Sequence, residues 1–433
     1  MFKTSITSIL SALILAGTPA LSQTQSVALK FDFGPGAVAK GYTQVLPETL
    51  YSAEKGYGFW PGASLQENDT KKGDALKSDF IASKKPFYFS VNLPDGNYDV
   101  KVTFGDKNGT SSQTVKAESR RFMLQNTATR PGNVEDAKFT VHMHGLKIGD
   151  TNNKVLITPR EVDFFHWDNQ LTLEFNGTDS KICGVEIKRN DQAITVFLAG
   201  NSTVVDQDKE PYGAWGQMIP VFFKPGKVSV ANYAESGETL LAFKRELRLE
   251  KVWSLAKPGD YLFIEFGHND QKAGINHLDP FTTYKETLIE WVSEARKRNI
   301  NPVLVSSMGR RSFTASGKAN NTLGDYPEAV RRAAKEANVP FIDLNSMSMT
   351  LYEAWGPVNS AKGFADGSHS NVYGAWQLAK CIAEGIKQSV PDLAKHLKPE
   401  FKKTTFNPAK PDPFNTPNWP LSPQVSNSKP PGS

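Results

Sequence analysis

The sequence is poor in features that mark several other classes of protein. Its 433 residues include only two cysteines, Cys183 and Cys381, too few for a disulfide scaffold or a cysteine-rich metal cluster. Because apolar residues flank both, we expect two buried free thiols rather than a disulfide bond. The excess of 50 lysines and arginines over 45 aspartates and glutamates is too small to indicate a nucleic-acid-binding protein. Phosphate-binding loops, dinucleotide fingerprints and zinc-ligand spacings are missing too, so we predict neither a cofactor nor a metal site.

Long apolar runs are equally scarce, and the most marked one lies at the N-terminus. Lys3 precedes an apolar run over residues 9–16, and small residues follow before Gln23, which is the pattern of a secretory signal peptide. The run is shorter than the ~20 residues that a membrane-spanning helix needs. We therefore predict a signal peptide at residues 1–22 and a secreted or periplasmic protein with no membrane attachment after cleavage. An uncleaved membrane anchor is the alternative interpretation.

The opposite end of the chain is unusually rich in proline. Residues 401–433 contain eight prolines among scattered asparagine, serine and lysine. Proline cannot donate a backbone hydrogen bond and disrupts helices and central strands, so this segment is predicted to be an extended tail. Its aromatic residues Phe406, Phe414 and Trp419 are expected to hold part of it against the surface.

Residues 26–190 consist of short runs in which apolar and polar residues alternate. These runs include residues 28–33, 87–93, 97–104 and 171–175, and the pairs Asp95-Gly96 and Asn176-Gly177 are turn signals. Repeated strands at this spacing predict a β-sandwich or jelly roll. Four aromatic residues are candidates either for the sandwich core or for a sugar-stacking platform, namely Tyr42, Tyr57, Phe59 and Trp60.

Residues 192–400 follow a different pattern, in which apolar strands alternate with amphipathic helices. Strands are predicted at 195–200, 228–233, 261–267, 302–307 and 341–344. Helices are predicted at 215–223, 239–255, 282–298, 326–337 and 373–386. Near-continuous apolar strands separated by helices indicate a parallel sheet covered on both faces. Ligands of such sheets bind outside the carboxyl ends of the strands, so the loops at those ends are the candidates for a site.

These loops contain the residue types that acyl transfer requires. Ser202 follows the first strand, Gly237 follows the second, Asn269 follows the third, and Asp366 and His369 precede the last helix. A serine nucleophile needs a base, an acid to orient that base, and donors for the oxyanion. We predict Ser202, His369 and Asp366 as the catalytic residues. The backbone amides of Ser202 and Gly237 and the side-chain amide of Asn269 are predicted to form the oxyanion hole.

The same blocks resemble, in the same order, the four motifs of the SGNH (GDSL-like) hydrolase superfamily. Within it, residues 195–388 are most similar to rhamnogalacturonan acetylesterases, and the segment ahead of them resembles the galactose-binding-like β-sandwich often fused to such enzymes. The similarity is carried by Gly200-Asn-Ser, Val205-Asp-Gln-Asp, Ala214-Trp-Gly-Gln-Met, Glu235-Ser-Gly-Glu-Thr, Phe266-Gly-His-Asn-Asp-Gln-Lys and Asp366-Gly-Ser-His. The resemblance implies a three-layer, flavodoxin-like α/β catalytic domain without a cofactor. It also implies a carbohydrate O-acetylesterase acting on an acetylated acidic polysaccharide, pectin and most specifically rhamnogalacturonan.

One position departs from the family pattern. Where the family usually has Gly-Asp-Ser, this chain has Gly200-Asn201-Ser202. Asparagine has the shape of aspartate and keeps an acceptor for the turn, but it removes a charge beside the nucleophile. We expect an active enzyme, with a shifted pH profile as one consequence of this change.

Four further residues are candidates for substrate contact, each with a structural alternative. Arg310 and Arg311 follow the fourth strand and have the guanidinium geometry that binds a uronate carboxylate, although an ion pair with Asp325 or a neighbouring glutamate is an equal alternative. His268 is a candidate for packing or for substrate contact. Asn371 is a candidate for substrate contact or for capping the last helix.

Two other functions stay open at this point. The same triad serves lipases, thioesterases and xylan acetylesterases, which differ in the ester that they cleave. The alternative from a different class is a glycan-binding protein without enzymatic activity. In that case the sandwich would bind the glycan, and Asn201 would indicate that the catalytic activity has been lost.

Overall fold

A computed structural model describes residues 28–423, so the predicted signal peptide and the last ten residues lie outside the described range. The chain forms two units, with one β-sheet assembly ending at Arg189 and a second sheet beginning at Ile194. The described residues include no helix that combines the length and the apolar character needed to cross a membrane. Both cysteines are buried free thiols, as predicted.

The first unit is a β-sandwich of eleven strands. They are β1 (Ala28–Phe33), β2 (Thr43–Val45), β3 (Tyr57–Phe59), β4 (Gln66–Asp69), β5 (Asp79–Ser83), β6 (Phe87–Asn92), β7 (Gly96–Gly105), β8 (Ser111–Ala117), β9 (Arg121–Thr129), β10 (Val134–Met143) and β11 (Gln170–Arg189). One layer has the order β10-β7-β11-β1-β2, and the other contains β3, β6, β8 and β9 around the first half of β11. Edge-on contacts among Phe33, Phe59 and Phe89 fill the space between the layers.

The turn predicted at Asn176-Gly177 is wrong, because both residues lie inside the 20-residue strand β11. The register of β11 against β8 shifts between Asn176 and Asp179, so the strand bulges there and passes from one layer into the other. Gly177 has φ +154°, and a Cβ atom on it would lie 2.4 Å from the Ser112 carbonyl oxygen. The glycine therefore permits a bend within one strand instead of a turn between two.

Two of the four aromatic residues considered for a sugar-stacking platform are buried inside the sandwich. Phe59 is completely buried and Trp60 is 7% exposed, and both belong to aromatic clusters inside the sandwich. Tyr57 packs partly against the same core, and the Tyr42 hydroxyl donates to Glu186. The structural alternative is therefore confirmed for Phe59 and Trp60.

The second unit has the predicted parallel sheet. Its strands are β12 (Ile194–Gly200), β13 (Val228–Asn232), β14 (Tyr261–Glu265), β15 (Asn301–Val305) and β16 (Phe341–Ile342), in the order β13-β12-β14-β15-β16. All neighbouring pairs are parallel, and this order is that of flavodoxin-like sheets. The order reverses direction at β12, whose carboxyl end is followed by Ser202, so the fold places that residue at the topological switch point.

Helices cover both faces of the sheet. They are α1 (Trp215–Met218), α2 (Leu240–Arg245), α3 (Arg248–Leu255), α4 (Lys285–Lys297), α5 (Tyr326–Ala337), α6 (Leu344–Asn359), α7 (Val372–Ser389), α8 (Pro391–Ala394) and α9 (Pro399–Lys403). Single 3₁₀ turns occupy Pro159–Asp163, Ile219–Phe222 and Ser360–Gly363, and a π turn at Pro280–Tyr284 leads into α4. Two hydrophobic cores, one on each face of the sheet, complete the three-layer arrangement.

Several helices differ from their predicted extents. The helix predicted over 239–255 is two helices, because Leu247 adopts the left-handed conformation with φ 61° between α2 and α3. The helix predicted over 215–223 tightens into a 3₁₀ turn after Met218, where Pro220 lies in its first turn. The long helix α6 was not predicted, and it kinks at Gly356 ahead of Pro357.

The C-terminal segment is more structured than predicted. The prediction that the tail contains no helix is wrong for residues 401–403, which belong to α9. Pro399 occupies the first turn of this helix, where its fixed φ is favourable. Farther along, Asp412 accepts hydrogen bonds from Lys380 at 2.8 Å. The Trp419 ring packs on Phe122, and Ser422 donates to the buried Glu174. The described part of the tail thus crosses both units.

A buried ion pair joins the two units beside the loop that carries Ser202. Arg121 on β9 is fully buried, and its Nε and Nη2 atoms lie 2.9 and 2.8 Å from Oδ2 of Asp206, four residues after Ser202. Asp206 is 1% exposed and also accepts a 2.8 Å hydrogen bond from Asn232 at the end of β13. Burial raises the pKa of Asp206, while Arg121 and Asn232 act in the opposite direction.

We expect Arg121→Leu to lower the free energy of unfolding by about 3–5 kcal/mol, because it leaves the Asp206 carboxylate buried without its cation. Urea unfolding followed by tryptophan fluorescence measures this loss. Lys244→Ala, which removes the exposed pair with Glu290, is the control and should leave stability almost unchanged. Similar small losses in both variants would contradict the assignment.

Candidate active site

The structure brings together the three residues predicted to be catalytic. His369 Nε2 lies 2.9 Å from Ser202 Oγ, and His369 Nδ1 lies 2.8 Å from Asp366 Oδ2. Ser202 is 8% exposed, whereas the side chains of His369 and Asp366 are 32% and 41% exposed. The serine is therefore almost buried, and the histidine and the aspartate form the partly exposed rim of the site.

Backbone hydrogen bonds hold Asp366 in place. Its Oδ1 accepts hydrogen bonds from the backbone amides of Ser368 and His369 at 2.7 and 2.8 Å, while Oδ2 faces the imidazole of His369. Burial raises the pKa of Asp366, but the hydrogen bonds from His369 and the two amides outweigh it, and the pKa is below its ordinary value. The carboxylate is therefore ionised at neutral pH and favours the tautomer with hydrogen on Nδ1. That tautomer directs the Nε2 lone pair at the Ser202 hydroxyl.

The loop that carries Ser202 turns sharply after β12. The amides of Val204 and Val205 both donate to the Asn201 carbonyl, and Gln207 Nε2 donates to the Ser202 carbonyl at 2.8 Å. A Cβ atom on Gly200 would lie 2.6 Å from a methyl group of Val204, so a side chain at this position would open the turn.

Asn201 supports this turn without adding a charge. Its Oδ1 accepts from the amide and the hydroxyl of Thr203 at 3.1 and 3.0 Å, which are bonds that an aspartate would also make. The Thr203 hydroxyl also lies 2.9 Å from Glu265, a buried carboxyl whose pKa burial raises to about 7. Asn201 is itself completely buried. An aspartate here would place a second buried carboxyl next to Glu265.

The two remaining oxyanion candidates lie on loops that are joined to each other. Gly237 is exposed and has φ +91°, a conformation that suits glycine, with open space where a Cβ atom would point. Asn269 Nδ2 donates to the Glu238 carbonyl at 2.9 Å, which leaves its second amide hydrogen for a ligand. The buried Asp270 accepts from the amides of Gly267 and Leu240, and this fixes the second and third loops against each other. The amide of Glu235 reaches the Gly200 carbonyl at 3.3 Å and ties the second loop to the first.

His268 and Asn371 have structural partners. His268 is 4% exposed, its Nε2 lies 2.7 Å from the Met308 carbonyl, and burial lowers its pKa to about 4. The neutral ring therefore holds two strand-end loops together. Asn371 caps α7, because its Oδ1 accepts from the Gly374 amide while its Nδ2 donates to the Lys362 carbonyl.

The two arginines predicted to contact a uronate each donate hydrogen bonds to neighbouring loops. Arg310 donates to the carbonyls of His268 and Thr322 at 3.1 and 3.4 Å. Arg311 donates to Ser360 Oγ and to the Pro357 carbonyl, both at 3.0 Å. Within the described residues, neither forms the alternative ion pair with Asp325. Both side chains brace loops around the site.

Several neighbours of the site are contributed by the sandwich and were not predicted. Arg120 Nη1 donates to the carbonyls of Gln207 and Tyr212, and the Tyr212 ring lies edge-on to His369 at 5.9 Å between centroids. Arg160 pairs with the buried Glu235 and donates to the Ser236 carbonyl at 3.2 Å, next to Gly237. No signal in the sequence connects these arginines to loops that lie about 75 to 90 positions away.

One cluster in the described residues has ligand types that suit a metal ion. Oxygen and nitrogen atoms of Glu161, His166 and Glu235 lie within 4.8 Å of one another. Arg248 donates to both carboxylate oxygens of Glu161 at 2.9 and 2.8 Å, and Arg160 pairs with Glu235. Two guanidinium groups thus already neutralise the carboxylates of this cluster.

We expect Asn201→Asp to destabilise the fold by an amount that grows with pH. Burial beside Glu265 should raise the pKa of the new carboxyl above the ~3.9 of an unfolded aspartate, so the folded variant retains a proton that the unfolded chain has lost. Stability relative to the parent should therefore fall as pH rises from about 4 to about 8. Urea unfolding across this range measures the difference, with the partly exposed Asn276→Asp as control. A difference that does not vary with pH would contradict this account.

Comparison with known proteins supports both units. Residues 29–164 match the family described as Beta-agarase/YXIM esterase-like, galactose-binding domain-like, and residues 198–376 match the GDSL-like Lipase/Acylhydrolase family. Rhamnogalacturonan acetylesterase RhgT of Bacillus subtilis (strain 168) is 38% identical over 221 residues, which are 47% of this chain and 94% of RhgT. The uncharacterized esterase YxiM of the same organism is 26% identical over 391 residues, 87% of this chain and 95% of YxiM.

A crystal structure of Bacillus subtilis YxiM is also similar, with 26% identity and a TM-score of 0.46, covering 84% of this chain and 98% of that one. The family matches agree with the order of the two units, and the catalytic-domain match spans the loops of Ser202 and His369. The chain therefore belongs to the GDSL-like lipase/acylhydrolase family, as a carboxylic ester hydrolase whose catalytic domain follows a galactose-binding-like domain.

Proposed function

We propose that this protein is a secreted carbohydrate O-acetylesterase that removes acetyl groups from rhamnogalacturonan through an acyl-enzyme on Ser202. The observation that carries the proposal is the hydrogen-bonded series from Ser202 through His369 to Asp366. It lies in a domain that is 38% identical to a rhamnogalacturonan acetylesterase. Secretion rests on the signal-peptide pattern of residues 1–22.

The first half of the reaction transfers the acetyl group to the enzyme. His369 Nε2 takes the proton of Ser202 Oγ as that oxygen attacks the acetyl carbonyl carbon, and Asp366 stabilises the imidazolium that forms. The amides of Ser202 and Gly237 and the Asn269 side chain donate to the oxyanion. When the tetrahedral intermediate collapses, the carbon–oxygen bond to the sugar breaks and the imidazolium returns its proton to the sugar oxygen.

The second half releases acetate. Water reaches the partly exposed His369, which removes one of its protons, and the resulting hydroxide equivalent attacks the acetyl-Ser202 carbonyl carbon. Collapse breaks the bond to Ser202 Oγ, which recovers a proton from the imidazolium. The exposed rim of the site suits this step, because both water and a bulky glycan need access to the serine.

This arrangement favours an enzyme over a catalytically silent glycan-binding protein. A protein without activity would not need the His369 imidazole to lie 2.9 Å from Ser202 Oγ and 2.8 Å from Oδ2 of an ionised Asp366. Asn201 retains the turn contacts to Thr203, so the departure from Gly-Asp-Ser does not remove a group of the triad.

We expect Ser202→Ala to lower acetate release by at least about 10³-fold, because no other group at the site forms the acyl-enzyme. The assays are acetate release from acetylated rhamnogalacturonan and hydrolysis of 4-nitrophenyl acetate. Circular dichroism should be unchanged, and Ser254→Ala on the exposed face of α3 is the matched control. Retained turnover in the folded Ser202→Ala protein would refute the mechanism.

We expect Asn269→Ala to lower kcat by about 10²–10³-fold with little change in KM, because the lost donor acts on the oxyanion rather than on bound substrate. Steady-state kinetics on the aryl acetate separate the two constants. Asn276→Ala, in the same loop region, removes a hydrogen bond to Arg245 and serves as control. An unchanged kcat, or a rise confined to KM, would exclude Asn269 from the oxyanion hole.

A further inference from the structure

A cleft between the two units lies beside the loop of Ser202. The space between its walls, which is partly open to solvent, is about 590 Å³. The sandwich lines one side of it, with Arg120 and, from the β10–β11 connection, Arg160 and residues 163–165. Asp208 and Lys209 of the Ser202 loop line the other side. The catalytic domain alone would therefore present only one wall of this cleft.

Two arginines that line the cleft donate hydrogen bonds to loops of the active site. Arg120 donates to the Tyr212 carbonyl at 3.0 Å, and the Tyr212 ring packs against the His369 ring. On the same wall, Arg160 donates to the Ser236 carbonyl, one residue before Gly237. Arg120 therefore connects the cleft to the loop that packs on His369, and Arg160 connects it to the loop of Gly237.

Two cationic side chains in the cleft keep donors for a ligand. Arg160 is 47% exposed and uses Nη2 for Glu235 and Ser236, while among residues 28–423 no protein group accepts from its Nε or Nη1. Lys209 is 65% exposed, and its described ion pair is a loose one, 3.8 Å from Asp208. The two cations come from opposite walls, so they approach a bound group from two sides.

Acceptors lie in the same cleft. Asp163 is exposed on the wall that carries Arg160, and Asp208 precedes Lys209 on the other wall. Carboxylates accept hydrogen bonds from sugar hydroxyls, and ammonium and guanidinium groups donate to carboxylates. A ligand that carries both hydroxyls and a carboxylate on one ring matches this set, and a uronic acid is such a ligand.

We propose that the interdomain cleft binds a galacturonate unit of the acetylated polysaccharide, with its carboxylate at Arg160 and Lys209 and its hydroxyls at Asp163 and Asp208. This inference rests on the proposed function and makes the sandwich part of the substrate site. It assigns the uronate contact to these residues instead of Arg310 and Arg311, which donate to loop carbonyls and to Ser360.

The test compares two substrates in the full-length protein. Lys209→Gln should lower the ratio of kcat/KM on acetylated rhamnogalacturonan to kcat/KM on 4-nitrophenyl acetate by about threefold to tenfold at low salt. Arg160→Lys, which keeps a cation for Glu235 but loses the planar donors, should lower the same ratio. Added salt should shrink the difference between Lys209→Gln and the parent.

Lys395→Gln is the matched control, because Lys395 is 66% exposed and pairs with Asp392 near Tyr261, at the amino end of β14 and away from the strand-end loops. Its substrate ratio should equal that of the parent. An unchanged ratio in both Lys209→Gln and Arg160→Lys would overturn the inference. Equal losses on both substrates would also overturn it, because they would show a general disturbance of the Ser202 loop.

Direct binding separates this inference from the proposed function. Calorimetry with the Ser202→Ala protein and an unacetylated oligogalacturonide requires no turnover. Binding that weakens in the Ser202→Ala, Lys209→Gln double variant supports the cleft even if the parent fails to deacetylate rhamnogalacturonan. Absence of binding to the Ser202→Ala protein overturns the inference even if deacetylation by the parent is observed.

Discussion

The buried ion pair between Arg121 and Asp206 is the contact on which the arrangement of the two units depends. It lies where β9 of the sandwich meets the loop that carries Ser202, and neither side chain is accessible to solvent to any useful extent. A buried charge is tolerated only with a well-placed partner, so a shift of one unit against the other would leave a buried charge unpaired. Arg120, the next residue, holds the same loop through the carbonyls of Gln207 and Tyr212. The sandwich thus supports the catalytic site as well as standing ahead of it in sequence.

The candidate site contains two kinds of carboxyl, namely buried ones that hold loops together and the partly exposed Asp366, which contacts the imidazole of His369. Burial raises the pKa of Glu265 to about 7 and that of Asp270 to about 6, and both residues accept hydrogen bonds that join strand-end loops. Asp366 lies at the rim, where hydrogen bonds from His369 and two amides lower its pKa. Only a carboxylate that stays ionised at neutral pH can stabilise an imidazolium, so the division follows from burial. Asn201 fits this pattern, because it fills a buried position next to Glu265 with a neutral amide.

Predictions that rest on local sequence patterns are confirmed more often than predictions of features that depend on contacts between distant parts of the chain. The parallel sheet was predictable because apolar strands and amphipathic helices are local patterns, and α5 has the predicted bounds. Local signals misled where tertiary context overrode them. Asn176-Gly177 has the composition of a turn, but pairing partners on both sides keep it within β11. Leu247 interrupts a region of helical composition, and the neighbouring Arg248 is directed into a buried pair with Glu161.

The sequence by itself determined the order of the units and the strand-end position of Ser202, and it predicted His369 and Asp366 as the partners of that serine, because these signals lie within short contiguous blocks. Only the tertiary structure decided which groups surround the serine. Arg120, Arg121 and Arg160 belong to strands and turns of the sandwich, and nothing near them in sequence indicates the loops that they contact. Conversely, Arg310 and Arg311 follow a catalytic-domain strand, and both donate to carbonyl or hydroxyl groups of neighbouring loops. Contacts between units depend on how two surfaces dock, and that is set by burial and charge pairing across the interface rather than by any local pattern.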